Sequence, residues 1–265
     1  MVEQFGFIAI LDALGVSNYK LNEAQTFIDG KNALISELKE KAEVIGKSFN
    51  ENAEGRYQFP EMTISTFGDS IIICWPTGRE KEALVKFPSI AEWLQSAIVF
   101  GLKHQILLRG SLSIGEYLID DGDRTVLGPA IADAHAWAEE ANWFGVILTP
   151  HCQIYLGPAL ENKAMKEAIK INNDILCVKY SIPLRDREKE MYAISWPFFF
   201  LEHYKKNTVT GPVILSILLS NFTIPKGVET KYENSIQFFK FYEDSIYPVV
   251  IEGVREMIAK ATSVK

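Results

Sequence analysis

The sequence predicts an α+β fold in which helices pack on a mostly antiparallel sheet. Strand-like and helix-like segments follow one another as β-α-β-β-α-β-(β)-α-β up to residue 150. Two of the strands are separated only by Gly68-Asp69, the shape of a tight hairpin. With 265 residues, 48% hydrophobic and 23% charged, the chain can bury a large core.

Each element has its own signal. Gly6 to Leu11 is a continuous apolar run, as expected of a strand buried on both faces. Gly15 breaks the chain, and Asn22 is placed to cap a helix with Phe27, Ile28, Leu34, Ile35, Leu38 and Ala42 at helical spacing. The polar stretch Asn50 to Gly55 reads as a loop. Met62 to Phe67 and Ser70 to Trp75 form the hairpin. Ala83 to Leu102 is a second helix whose inner stripe is Ile90, Trp93, Leu94, Ile98 and Phe100. Ile106 to Ile114 is a strand that Tyr117 to Ile119 extends or follows, and Asp120 to Asp123 makes a turn. Gly128-Pro129 opens a helix from Ala130 to Asn142, because proline at a first-turn position needs no N–H. Val146 to Leu148 is a short strand. Beyond it come a helical stretch at Ala159 to Ile171 and a hairpin of Ile175 to Leu184 with Met191 to Trp196. A helical tail over Asn234 to Ala261 has a kink expected at Tyr247-Pro248. A division near Trp196-Pro197 separates residues 1–196 from a mainly helical C-terminal extension, 197–265.

Composition narrows the function. Lys and Arg total 27 against 34 Asp and Glu, a net charge of -7, so nothing draws the chain to a nucleic-acid backbone or an anionic membrane. An anionic substrate needs local help from metal ions, helix N-termini or placed cations. Cys74, Cys152 and Cys177 lack CxxC spacing and read as buried thiols. The N-terminal apolar run is interrupted by Asp12, and no stretch approaches the roughly 20 apolar residues of a membrane span. The expected location is the cytoplasm.

The chemistry centres on two aspartates. Asp12 ends a buried strand and leads into a glycine-containing turn and a helix, which places a carboxylate beside backbone N–H groups. Alone it reads as a cap or a hydrogen-bonded acid. Asp69, at the hairpin tip in Phe67-Gly68-Asp69-Ser70, alone reads as a turn residue. On neighbouring strands the two can approach closely enough to share two divalent ions about 3.5–4 Å apart.

Phe7-Ile-Ala-Ile-Leu-Asp12-Ala-Leu-Gly15 and Phe67-Gly-Asp69-Ser resemble the two metal motifs of class III adenylate and guanylate cyclases. Leu108-Arg-Gly-Ser-Leu-Ser-Ile-Gly115-Glu116 and Leu127-Gly-Pro-Ala-Ile-Ala-Asp-Ala-His-Ala-Trp-Ala-Glu139 resemble one branch, the bacterial pyrimidine cyclases of the Pycsar anti-phage systems. The resemblance covers residues 5–150. It implies a ferredoxin-like βαββαβ cyclase core, with Asp12, Asp69 and the Ala13 carbonyl holding Mg²⁺ or Mn²⁺. It further implies that the turn amides of Leu14, Gly15, Val16 and Ser17 touch the triphosphate, and that the chain works as a head-to-tail homodimer. UTP is the expected substrate and CTP the alternative, the product acting on a separate effector protein.

Departures from the purine cyclases shape the reading. Where those enzymes place a purine-reading Lys and Asp, this chain has Ser65 and Thr125, short hydroxyls that cannot reproduce that pair. Ala132 and Ala136 stand where the family carries a transition-state Asn and Arg. Either another cation substitutes, with Arg109 and Arg185 as candidates, or the domain binds nucleotide without turnover. A diguanylate-cyclase or palm-like domain shares the two carboxylates but not Phe-Gly-Asp-Ser. His135 with Glu139 reads as a surface pair, and Trp93, Trp137, Trp143 and Trp196 as core or seam residues.

Overall fold

The apolar run at the N-terminus forms a central, largely buried strand of one sheet. In the computed structural model, β1 (Val2–Ala13) is buried continuously from Gly6 to Leu11. The structure describes residues 2–16, 21–52, 57–79, 81–120, 125–161, 175–204, 211–220, 222, 227–253 and 255.

The chain continues through α1 (Leu21–Asn52), β2 (Thr63–Phe67), β3 (Ser70–Pro76), α2 (Lys81–Lys103) and β4 (Leu108–Asp120). β5 (Thr125–Leu127), α3 (Pro129–Glu140), β6 (Gly145–Leu148) and α4 (Pro150–Glu161) follow. The described elements end with β7 (Cys177–Pro183), β8 (Glu188–Ile194), α5 (Trp196–Tyr204), α6 (Gly211–Ser220) and α7 (Glu229–Phe241). The eight-stranded sheet runs β2-β3-β1-β4-β6-β8-β7, with β5 paired to β4. Every pairing is antiparallel except β4 with β6, and that pair is joined by the crossover helix α3, as a parallel pair requires. The first six elements, β-α-β-β-α-β in the spatial order β2-β3-β1-β4, are the ferredoxin-like α+β arrangement the sequence predicts.

Alternation along β1 assigns the two faces. Phe7, Ala9, Leu11 and Ala13 share a core with Ile71, Ile73 and Trp75 and with the buried stripes of α1 and α2. Within it Trp93 packs edge-on against Trp75 with centroids 5.3 Å apart and donates its indole N–H to the Leu38 carbonyl at 2.9 Å. Ile8 and Ile10 face the other way, with Cys74 and Tyr117, and are covered by Ala130, Ala134 and Ala138 of α3. Small residues on α3 let it lie close, and Ser111 donates to the Ala134 carbonyl at 2.5 Å. Cys74, Cys152 and Cys177 are buried and free. No helix among the described residues is long and apolar enough to cross a membrane.

Several boundaries differ from expectation. Asn22 lies within α1, which is described from Leu21, and helix continues through Asn50 to Asn52 in place of the predicted loop. The buried Leu34, Leu38 and Ile45 hold that long helix, whereas Ile28 is exposed. Tyr117 to Ile119 extends β4 without a break. α4 begins at Pro150, ahead of the predicted Ala159, since proline suits a first turn. The later part of that predicted helix, the Asp121 to Asp123 turn and the tail beyond Arg255 lie outside the described residues. In the tail the helix widens to a π turn at Tyr242–Ile246. Pro248 lacks an N–H and crowds the carbonyl four residues back, at Asp244, so the widening falls just before the predicted kink.

Candidate active site

The ends of β1, β4 and the β2–β3 hairpin converge on one rim of the sheet. Asp12 continues the series Ile8, Ile10 and therefore lies on the α3 face, past the apolar patch that α3 covers. Its partners across the sheet are Ser70 on β3 and Arg109 on β4. Ser70 donates its hydroxyl to Asp12 Oδ1 at 3.2 Å. Arg109 donates from Nε at 3.1 Å and Nη2 at 3.0 Å, both to Asp12 Oδ2. The pair is only partly solvated, with side-chain exposures of 16% for Arg109 and 23% for Asp12. Arg109 Nη1 also points at the Glu139 carbonyl, 3.5 Å away at the C-terminal end of α3, where a cation is favoured.

Asp69 is brought to Asp12 by the backbone. Gly68 takes a left-handed φ of 58°, turning the hairpin tightly, and the Asp69 carbonyl accepts from the Ala13 N–H at 3.3 Å. Lys31 of α1 braces the same tip by donating to the Gly68 carbonyl at 2.7 Å. The two aspartates thus flank one backbone hydrogen bond, with the Ala13 peptide between them. Two carboxylates plus a carbonyl suit a hard divalent ion that completes its shell with substrate phosphates and water. Among the described residues no group of three or more His, Cys, Asp or Glu side chains is arranged to hold a metal.

The turn after Ala13 lines an adjoining cavity. Leu14 donates to the Leu107 carbonyl at 2.8 Å and Gly15 has a φ of 84°. Leu14, Gly15 and Val16 share walls with Phe27 of α1, His104 of the α2–β4 turn and Tyr232 of α7, around a volume of about 690 Å³. Ser17 lies outside the described residues.

Not every expected residue reaches this rim. Ser65 pairs with Ile72 on the hairpin, on the Asp12 face but higher up the strands. Thr125 pairs with Asp120, eleven residues along β4 from Arg109, so at about 3.3 Å per residue it sits at the far end of the sheet. Arg185 is exposed in the β7–β8 connection and borders the rim: Leu184 beside it bridges to Ala141, and its charge acts on Lys231 together with those of Arg109 and Asp12. Ala132 and Ala136 lie on the exposed side of α3.

One charged residue near the rim comes from the segment in which the sequence shows no chemistry. Lys231, in the first turn of α7, is half-buried. Burial and then the charge of Arg109 press its ammonium pKa down; Asp12 opposes this, and Arg185 adds to the depression. No local motif marks Lys231, and only the docking of α7 brings it here.

No protein-family model and no curated protein matches the chain. Similar solved structures include the catalytic core of a rhodopsin-guanylyl cyclase with converted specificity, in complex with ATPαS, at 11% identity and a TM-score of 0.44. That match covers 73% of this chain and 96% of the other. The adenylyl cyclase CyaB from P. aeruginosa is similar at 14% identity and a TM-score of 0.40, over the same 73% and 96%. A bacterial light-regulated adenylyl cyclase is similar at 12% identity and a TM-score of 0.35, over 83% of this chain and 59% of the other.

Proposed function

We propose that the chain is a nucleotidyl cyclase that converts UTP to 3′,5′-cyclic UMP and pyrophosphate, with CTP as the alternative substrate. The observation that carries this reading is the tether between the two aspartates. The Ala13 N–H bonded to the Asp69 carbonyl holds Asp12 and Asp69 on adjoining strand ends, at a rim where Arg109 supplies positive charge.

In the reaction the ribose 3′ oxygen forms a bond to the α-phosphorus, the bond from that phosphorus to the β-phosphate oxygen breaks, and the hydroxyl proton passes to solvent. Divalent cations held by Asp12, Asp69 and the Ala13 carbonyl would acidify the hydroxyl and neutralise the leaving pyrophosphate. Arg109 swings from Asp12 Oδ2 toward the phosphates, being the cation paired with Asp12. The amides of Gly15 and Val16, with Ser17, steady the triphosphate at the start of α1, whereas the expected Leu14 amide is already donated to the Leu107 carbonyl and shapes the turn instead. Ser65 reads the base edge with a hydroxyl too short for the purine-selecting device.

Thr125 and Asp12 are too far apart in one chain to touch one nucleotide. A head-to-tail homodimer resolves this by setting Thr125 of a second copy against Asp12, and the 83% exposure of Phe67 at the hairpin tip leaves an apolar anchor for that contact. Arg185 contributes to phosphate binding. Residues 1–196 form the catalytic unit and 197–265 an extension. The cyclic nucleotide acts on a separate effector protein in anti-phage defence.

Incubating the purified protein with each of the four triphosphates and Mn²⁺, followed by mass identification of products, tests the reading. Cyclic UMP or cyclic CMP is expected, and a product from ATP or GTP alone would overturn the pyrimidine choice. The exposed Ala132 and Ala136 favour one second reading, a nucleotide-binding domain without turnover. Tight UTP binding with no cyclic product from any triphosphate would establish it.

A further inference from the structure

The segment 141–145 ties the Arg109 strand, the β7–β8 connection and α7 together. At one end Gly145 pairs with Arg109, and at the other Ala141 bridges to Leu184, next to Arg185. α7 is fastened to the middle of the same segment. Asn234 Nδ2 donates to the Asn142 carbonyl at 2.7 Å, and the Phe144 N–H donates to Ser235 Oγ at 2.8 Å. Ser235 in turn donates to the Lys231 carbonyl at 2.6 Å, fixing the turn that carries Lys231. Tyr232, the next residue, shares the cavity wall with Leu14, Gly15 and Val16. The first turn of α7, which carries Lys231, is therefore fixed between the Leu14–Val16 turn and the strand end that pairs with Arg109.

We propose that Lys231 is a substrate-binding residue, one of three cations, with Arg109 and Arg185, that receive the triphosphate beside Asp12. This rests on the reading of the rim as a nucleotide site. Burial and the charges of Arg109 and Arg185 disfavour the Lys231 ammonium, with Asp12 opposing them, and an arriving polyanion would offset that cost. The C-terminal extension thereby completes the site from within the same chain.

The test uses the full-length protein and inorganic tripolyphosphate as the probe, with binding measured by calorimetry in the presence of Mn²⁺. Lys231→Met is expected to weaken tripolyphosphate binding by about tenfold to a hundredfold, the loss of one charge-assisted contact. Lys231→Arg should restore most of it, and Lys240→Met, on the exposed side of the same helix, should leave it unchanged. Lys231→Met should melt no lower than the unaltered chain, since burial and the neighbouring guanidinium groups disfavour the native ammonium. A purely structural lysine would instead lower the melting temperature and leave binding intact. If the unaltered chain and Lys231→Met bind tripolyphosphate equally, or the unaltered chain does not bind it, the proposal falls. If binding depends on Lys231 but none of the four triphosphates is cyclised, the anion site stands and the cyclase reading fails.

Discussion

Replacing Arg109 by Met should separate the structural and chemical roles of the Asp12–Arg109 pair. Methionine keeps the apolar stem and removes the guanidinium, so among the described residues Asp12 is left with the Ser70 hydroxyl at 3.2 Å. Breaking a fully buried pair costs about 3–5 kcal/mol, and a hydrogen bond to a charged group contributes about 1.5–3 kcal/mol. At 16% and 23% exposure, water reaches Asp12 in the variant, which puts the loss near the low end, at about 2 kcal/mol. For a chain of this size that lowers Tm by roughly 4–6 °C in EDTA. The freed Oδ2 then becomes available to a cation, so Mn²⁺ should bind the variant about tenfold more tightly, recovering about 1.4 kcal/mol at saturation. Thermal unfolding of metal-stripped protein across a Mn²⁺ titration reads both effects, and free Mn²⁺ counted by electron paramagnetic resonance gives the affinity directly. Equal melting temperatures in EDTA, together with unchanged Mn²⁺ affinity, would refute the reasoning.

Three further outcomes follow from the same geometry. Asp69→Asn should abolish cyclic product while shifting Tm by no more than about 0.5 kcal/mol equivalent, because the hairpin is held through the Asp69 carbonyl; a circular dichroism melt alongside a product assay checks both. Gly110→Ala would drive a Cβ into the Ile10 carbonyl, main chain of a paired strand that cannot yield, and to 2.8 Å from the Leu11 side chain, so a loss of about 3 kcal/mol or failure to fold is expected in denaturant titration. For Glu37, burial raises the carboxyl pKa, but the hydrogen bond and charge of Lys103, with His104 alongside, outweigh it and hold it below the ordinary value. A depressed folded pKa stabilises above the unfolded value and fades as pH falls through the folded one, so Glu37→Gln should melt lower at neutral pH and converge with the parent in acid.

Features with a local cause were legible in the sequence. The apolar run before Asp12, the Gly-Asp hairpin and the Gly-Pro helix start each depend on a few adjacent residues, and each appears where expected. Ends of helices were less legible: Asn22 and Asn50 carry cap or loop chemistry, yet α1 runs past both because its buried stripe packs on the sheet. Asp12 meets Arg109 because the β1–β4 register aligns them, and no spacing in the sequence encodes that register. Thr125 shows the converse, since a short distance along the chain from Gly128 says nothing of its place at the far end of β4. Lys231 was invisible for the same reason, its position being fixed by contacts 92 and 91 residues away in the chain, from Asn234 to Asn142 and from Ser235 to Phe144.

The bond from the Ala13 N–H to the Asp69 carbonyl has a consequence for how such a chain can change over generations. Because Asp69 makes this bond through its main-chain carbonyl, its side chain can be exchanged with the hairpin undisturbed, whereas the Asp12 side chain is also bound to Ser70 and Arg109. On the proposed reading, one substitution at Asp69 is then enough to silence the chemistry, and one reversal is enough to bring it back. A lineage built this way can move between producing a signal and merely occupying the ligand without rebuilding its architecture.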